Sequence, residues 1–269
     1  MSFVGSTPRI GREAWPLVVE DVSLWFSGVR AIDDVSFTVE PGQLYAIIGP
    51  NGAGKTSIFN CISGVYRPQR GCLRFGELDL TKAKPNRIAT AGVARTFQNI
   101  ELFSSMTVAE NLMLGRHHVM RTGVVSALAY YGRSRSEERE HRGRVEDIIE
   151  FLEMEPIREE PVAELPYGQQ KRVELGRALA MEPRLLLLDE PVAGMNLEET
   201  EDTARYIVDI SQDLGISVLL VEHDMGVVMD LADRVLVLDF GQRIAEGPPR
   251  EVQNDPKVIA AYLGKEVET

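Results

Sequence analysis

A chain of 269 residues with 44% hydrophobic and 26% charged positions has enough apolar material for one large domain, or for a domain carrying an inserted lobe. Its 41 acidic side chains against 29 basic ones give a net charge of −12, which argues against nucleic acid as the main partner, because phosphate-backbone binding rests on lysine and arginine. Cys61 and Cys72 lack metal-ligand spacing and read as reduced thiols of a cytosolic chain; the opening MSFVGSTPRIGREAWP lacks a signal peptide's apolar stretch, and no apolar run reaches the roughly 18–20 residues of a membrane span.

Residues 1–16 read as a flexible polar tail. From Leu17 the pattern is that of strands: LVVEDVSLWF, AIDDVSFTVE and QLYAIIG, with Pro41-Gly42 marking a turn between the last two. A helix is expected after Gly54, and short strands around CLRFGELDL. The stretch from about 99 to 180 reads as mostly helical and opens on a capping box, Thr107 to Glu110. RLLLLDE and SVLLVEH are then continuous apolar runs of buried-strand type. Between them Ala204, Ile207, Val208 and Leu214 keep helical spacing, so a helix covers one face of the sheet. Strand, helix, strand in this order implies parallel pairing through a crossover. VLVLD and QRIAEG suggest closing strands, and residues 248–269 a C-terminal helical extension. There is no internal repeat. The expected organisation is a single α/β domain over 17–247, with a helical subdomain of about 99–180 inserted in it.

Gly49-Pro50-Asn51-Gly52-Ala53-Gly54-Lys55-Thr56 fits G-x-x-x-x-G-K-[ST] in full, follows the strand YAII, and runs through Ser57 into a helix. Its glycines allow backbone angles closed to other residues, so successive N–H groups can turn onto phosphate oxygens, and the helix start adds its positive dipole end. In such a cradle Lys55 reaches the β- and γ-phosphates and the Thr56 hydroxyl ligates Mg²⁺. A Gly-rich turn with a chance lysine would lack the strand and helix flanks. Asp189 and Glu190 emerge at the carboxyl end of the RLLLLDE strand, where ligands bind in parallel sheets. Asp189 would hold Mg²⁺ through water, and Glu190 would orient or deprotonate an attacking water; two acids merely capping a strand are the plainer alternative. His223 ends the next strand and can reach a γ-phosphate or that water, although a lone histidine is more often structural. His117 and His118 read as a solvated helix end.

Leu165-Pro166-Tyr167-Gly168-Gln169, followed by QKRVELGRALA and then the acidic strand, resembles the signature of ABC (ATP-binding cassette) ATPases, usually LSGGQ. The resemblance covers roughly residues 17–264. It implies a P-loop NTPase (RecA-like) core with a parallel-rich sheet, an N-terminal antiparallel β subdomain and an inserted helical subdomain. It matches Phe26 to the aromatic that stacks on adenine, Gln98 to the Q-loop and a Mg²⁺ contact, Ala193-Gly194-Met195-Asn196 to the D-loop, and His223 to the H-loop. ATP and Mg²⁺ are the implied cofactors. Details such as GVARTFQNIELF, DEPVAGMNLEET, VEHDM and VIAAYLG resemble the LivG-like branch, the importer ATPases for branched-chain amino acids, as does an extra helical stretch over about 115–144. VVSALAYY in that stretch reads as lobe packing, and RSRSEEREHRGR as a solvated helix face. Three departures stand out. Pro166 replaces the usual Ser and removes its hydroxyl contact to the γ-phosphate, Tyr167 replaces a glycine, and Asn196-Leu197 replaces Asp-Pro.

The resemblance implies a second ATPase subunit, facing head to tail so that Pro166, Tyr167, Gly168 and Gln169 of one copy close over the cradle of the other. It also implies multi-span permease subunits whose short helix enters a groove near Phe97, Leu102 and Phe103, an extracytoplasmic solute-binding protein reached indirectly, and a peripheral place on the cytoplasmic face of the membrane. Branched-chain or other hydrophobic amino acids are the implied cargo; urea or small organic acids, a soluble ABC ATPase of an assembly pathway, and a non-hydrolysing regulator remain alternatives. Intact Glu190 and His223 speak against the last.

Overall fold

The computed structural model describes residues 13–96, 98, 100–116 and 131–263, with only the backbone described for 131–137 and 263. Phe97, His117, His118 and most of VVSALAYY therefore lie outside the described residues.

Two sheets form the frame. The first is antiparallel, in the order β2-β1-β4-β5, from β1 (Leu17–Phe26), β2 (Val29–Val39), β4 (Arg70–Phe75) and β5 (Leu78–Asp79). The second runs β10-β9-β3-β8-β7-β6, from β3 (Leu44–Ile48), β6 (Val93–Arg95), β7 (Leu185–Asp189), β8 (Ser217–Val221), β9 (Arg234–Asp239) and β10 (Gln242–Gly247). Its pairs are parallel except β9 with β10, so the expectation of a parallel-rich sheet with antiparallel companions holds.

The central strands β3, β7 and β8 are buried on both faces, which is why they read as unbroken apolar runs. Their side chains alternate between two cores. Leu44, Ala46, Ile48, Leu186, Leu188, Val218 and Leu220 face a core shared with helices α3 (Val108–Arg116), α4 (Tyr131–Phe151), α5 (Tyr167–Leu179) and α6 (Leu197–Gln212). Tyr45, Ile47, Leu185, Leu187, Leu219 and Val221 face the antiparallel sheet and helix α1 (Lys55–Ile62). Every parallel strand thus ends against a packed layer on each side, and its carboxyl end is held rigidly.

The capping box forms: the Thr107 N–H donates to Glu110 Oε2 at 2.9 Å, and the Glu110 N–H to Thr107 Oγ1 at 3.2 Å. Four details differ from the sequence reading. The tail does not extend to residue 16, since Trp15 packs on Phe75 with ring centroids 5.6 Å apart and receives Arg184 over its face. Helix α6 buries Tyr206, Ile207 and Ile210, whereas Ala204 and Val208 are half-buried and Leu214 follows the helix end. His141 is not solvated; its Nδ1 accepts from Arg116 Nε at 3.1 Å in a buried contact. Helix α2 (Pro85–Thr90) and strand β6 were not anticipated. After β8 come α7 (Met225–Leu231) and, past β10, α8 (Pro249–Gln253) and α9 (Pro256–Leu263), whose Val252 and Val258 join the first core. Both cysteines are free, and burial pushes the Cys61 thiol up to about 12. Among the described residues no helix is long and apolar enough to cross a membrane.

Candidate functional site

β3 delivers the glycine-rich turn. At Gly49 the backbone turns to φ 146°, and a Cβ there would stand 2.0 Å from the Leu238 carbonyl oxygen of β9, so glycine alone fits. Gly54, at φ 101°, caps α1, and a Cβ on it would stand 2.4 Å from the Ala31 carbonyl oxygen. The turn is therefore wedged between β9 and β2. Ala53 is buried, while Asn51, Gly52 and Thr56 are exposed and Ser57 is half-buried. The Lys55 ammonium lies inside the turn, donating to the carbonyls of Gly49 at 2.6 Å and Pro50 at 3.1 Å. No acid stands in the first turn of α1, so its positive dipole end faces the loop without a compensating charge.

β8, beside β3, and β7, the next strand out, bring other groups to the same edge. Glu190 follows Asp189 with a left-handed backbone at φ 49°, a conformation that costs a non-glycine residue about 1 kcal/mol or more and is found at functional turns. Its N–H is tied to the Val221 carbonyl at 2.9 Å. This turn presents the Glu190 carboxylate between two sequence-predicted partners: Gln98 Nε2 donates to Oε2 at 3.0 Å, and His223 Nδ1 stands 3.9 Å from Oε1. Lys55, Gln98, Glu190 and His223 are thus carried on four neighbouring strand ends, β3, β6, β7 and β8.

Asp189 is almost wholly buried, and its Oδ2 accepts from Arg95 Nη2 at 2.8 Å. Arg95 also donates to Asn60 Oδ1 on α1 at 2.7 Å and to Ser63 Oγ at its C-cap at 3.2 Å, and lies over the Phe59 ring. This ion pair joins the acidic strand to the helix that carries Lys55 and Thr56. Among the described residues no three His, Cys, Asp or Glu side chains cluster to hold a metal by themselves. A hydroxyl, an amide oxygen and one carboxylate (Thr56, Gln98, Asp189) suit Mg²⁺, a hard ion that keeps waters and phosphate oxygens as most of its ligands.

Phe26, at the end of β1, is partly exposed and meets Tyr66 edge-on with centroids 5.0 Å apart, leaving a ring face for a planar base.

Pro166, Tyr167, Gly168 and Gln169 form a second group at the start of α5, with Pro166 as N-cap. Tyr167 packs 3.4 Å from the place a Gly194 Cβ would take, and a Cβ on Gly168 would meet the Glu199 carboxylate at 2.4 Å. Asn196 and Glu199 make a reciprocal cap for α6, with bonds of 3.0 and 3.1 Å. The Asn196 departure therefore keeps a good capping residue. Asn196→Ala is expected to cost about 1 kcal/mol of stability, read by urea denaturation, and to free Glu199 beside Gly168; an unchanged midpoint would contradict that. Lys171, one turn along α5, donates to the Gln98 carbonyl at 2.8 Å and so ties the signature helix to the Q-loop.

A groove of about 440 Å³ lies between α2, β6 and the helices α3 and α5, lined among others by Ile88, Arg95, Phe103, Arg177 and Met181. Phe103 is where the sequence reading put it. Leu102 packs half-buried against the first core instead of lining the groove.

Sequence reasoning missed Arg95, Lys171 and Glu222. Glu222 is fully buried and accepts backbone N–H groups from Val192, His223 and Asp224. An acid directly following a five-residue apolar strand was the only signal for it.

A family profile described as "ABC transporter" matches residues 32–193, and one described as "Branched-chain amino acid ATP-binding cassette transporter" matches residues 242–268. The chain is 38% identical over 249 residues to the high-affinity branched-chain amino acid transport ATP-binding protein BraF of Pseudomonas aeruginosa, covering 93% of this chain and 98% of that one. It is 36% identical, with the same coverage, to LivG of Escherichia coli K12. A crystal structure of a nucleotide-free ATP-binding cassette from an ABC transporter superposes with TM-score 0.81 at 32% identity, over 93% of this chain and all of that one. A crystal structure of an ABC transporter cassette in its ADP conformation also superposes with TM-score 0.81, at 33% identity over 93% of this chain and 99% of that one.

Proposed function

The chain belongs to the ABC transporter ATP-binding family and is an ATPase, and from that membership we propose that it powers an importer of branched-chain or other hydrophobic amino acids. The observation that carries the catalytic half is the convergence of Gln98 and His223 on the Glu190 carboxylate, on strand ends next to the glycine-rich turn. The cargo half is supported by the names of the relatives and the match over the C-terminal residues.

In this reading Phe26 stacks on adenine, the N–H groups between Asn51 and Ser57 and the Lys55 ammonium hold the phosphates, and Thr56, Gln98 and Asp189 would hold Mg²⁺, which would supply charge neutralisation at the β- and γ-phosphates. Glu190 orients and accepts a proton from the attacking water, and His223 steadies the γ-phosphate. Positioning and charge do most of the work in phosphoryl transfer, so a rigid sheet edge is the apt platform.

A second ATPase subunit closes the site by bringing its Gly168 and α5 start to the phosphate. ATP favours the closed pair and hydrolysis the open one. The groove beside Phe103 receives a short helix of a multi-span permease, and its lining residue Arg95 pairs with Asp189, so docking and nucleotide site share a side chain. The chain then works at the cytoplasmic face of the membrane and meets a solute-binding protein only through the permease.

Lys55→Ala is expected to abolish MgATP binding and hydrolysis; normal turnover would remove the cradle assignment. Affinity purification from membranes is expected to bring down a multi-span permease. Recovery of a stable soluble assembly complex in its place would replace the importer reading.

A further inference from the structure

A carboxylate with no exposed surface is costly unless every oxygen is satisfied. Glu222 stands one residue beyond β8, with none of its side chain exposed. Its Oε1 accepts from the Val192 N–H at 3.3 Å, and its Oε2 from the N–H groups of His223 at 3.0 Å and Asp224 at 3.4 Å. Burial raises its pKa, and the three backbone bonds oppose that rise.

The donors belong to two different turns. Val192 lies in the turn that follows Glu190, and because Pro191 has no N–H, the Val192 amide is the first donor past Glu190. His223 and Asp224 lie in the turn between β8 and α7. A carboxylate is acceptor-only, so one side chain satisfies all three N–H groups; a side-chain amide could offer one oxygen and would set its NH₂ against a donor. The His223 ring lies beside the same group, with Nδ1 3.7 Å from Glu222 Oε2 and 3.9 Å from Glu190 Oε1, and its backbone is the part that Glu222 bonds. The Glu190 N–H is fixed from the other side by the Val221 carbonyl, the residue before Glu222.

We propose that Glu222 is a positioning residue for ATP hydrolysis: its buried carboxylate fastens the turn after β7 to the turn after β8 and keeps His223 in register with Glu190. It touches neither the glycine-rich turn nor Lys55 in the contacts above, so its effect falls on turnover and not on nucleotide affinity.

Glu222→Gln is the isosteric test. Losing hydrogen bonds to a charged acceptor predicts a fall in kcat of about 10- to 100-fold, with the Kd for MgATP unchanged. The discriminating readout is a double-mutant cycle with His223→Ala. If Glu222 acts through His223, the double variant is no slower than His223→Ala alone. Effects that multiply, or a Glu222→Gln protein that loses thermal stability yet keeps wild-type kcat, would overturn the proposal and leave Glu222 a structural acid. Should Glu222→Gln not fold, Glu222→Asp, which keeps the charge but shortens the arm by one methylene, carries the same cycle with the same expected non-additivity. The proposal rests on the assignment of His223 to hydrolysis, and the cycle separates the two. Full turnover in His223→Ala removes that assignment and the proposal with it, whereas a slow His223→Ala beside a normal Glu222 variant removes the proposal alone.

Discussion

Turnover in Glu190→Gln is expected to fall about 10²- to 10⁴-fold, the range lost with a positioned acid–base group, while MgATP stays bound. The carboxamide keeps the shape of the side chain and its contact with Gln98, which donates to Oε2 at 3.0 Å, so the loop and the phosphates are not disturbed. What disappears is the proton acceptor that a left-handed turn at φ 49° holds between Gln98 and His223. Nucleotide then binds without being consumed, and the closed pair of subunits accumulates. Phosphate release and the solution mass in excess MgATP read the two effects. Near-normal turnover would remove Glu190 from the chemistry, and a chain that stays monomeric would remove the paired-site arrangement.

Arg95→Met is expected to cost about 3–5 kcal/mol of stability, the range for breaking a buried pair from one side. The side chains of Arg95 and Asp189 are 9% and 5% exposed, so removing the guanidinium leaves a buried carboxylate without its ion-pair partner. The same change also releases Asn60 and Ser63, loosening α1 from β7. Chemical denaturation measures the loss. A double variant Arg95→Met/Asp189→Leu should recover part of it, because two apolar groups of similar volume leave no unpaired charge. A single variant as stable as the wild type would show that the pair does not hold the two elements together.

The contrast between Lys55 and Arg95 marks what a sequence exposes. The cradle, the acidic strand and the H-loop strand each write their signal in consecutive residues: an apolar run of strand length, then the functional group at its end. The Thr107–Glu110 cap is equally local, and it formed as read. Strand β6, at three residues, is too short to show a period, and α2 opens on Pro85, which suits a loop as well as a first helical turn. Arg95 meets Asp189 across 94 positions and Lys171 meets Gln98 across 73, and nothing along the chain names those partners. His141 sits in a run of charges that looks solvated, and only the fold reveals Arg116 behind it. The substitutions Pro166, Tyr167 and Asn196 stood out in the sequence as departures from the family pattern. In the fold Tyr167 packs on Gly194 and Asn196 caps α6, so these two have a local use.

The central claim is that the turn wedged between β9 and β2 ahead of Lys55 holds the phosphates of MgATP. Titration calorimetry on the wild-type chain and on Lys55→Ala, with folding verified by circular dichroism, tests it directly. Saturable heat with one nucleotide per wild-type chain and none for Lys55→Ala is the expected result. Equal binding by both proteins, or no heat from a folded wild-type chain, would contradict it.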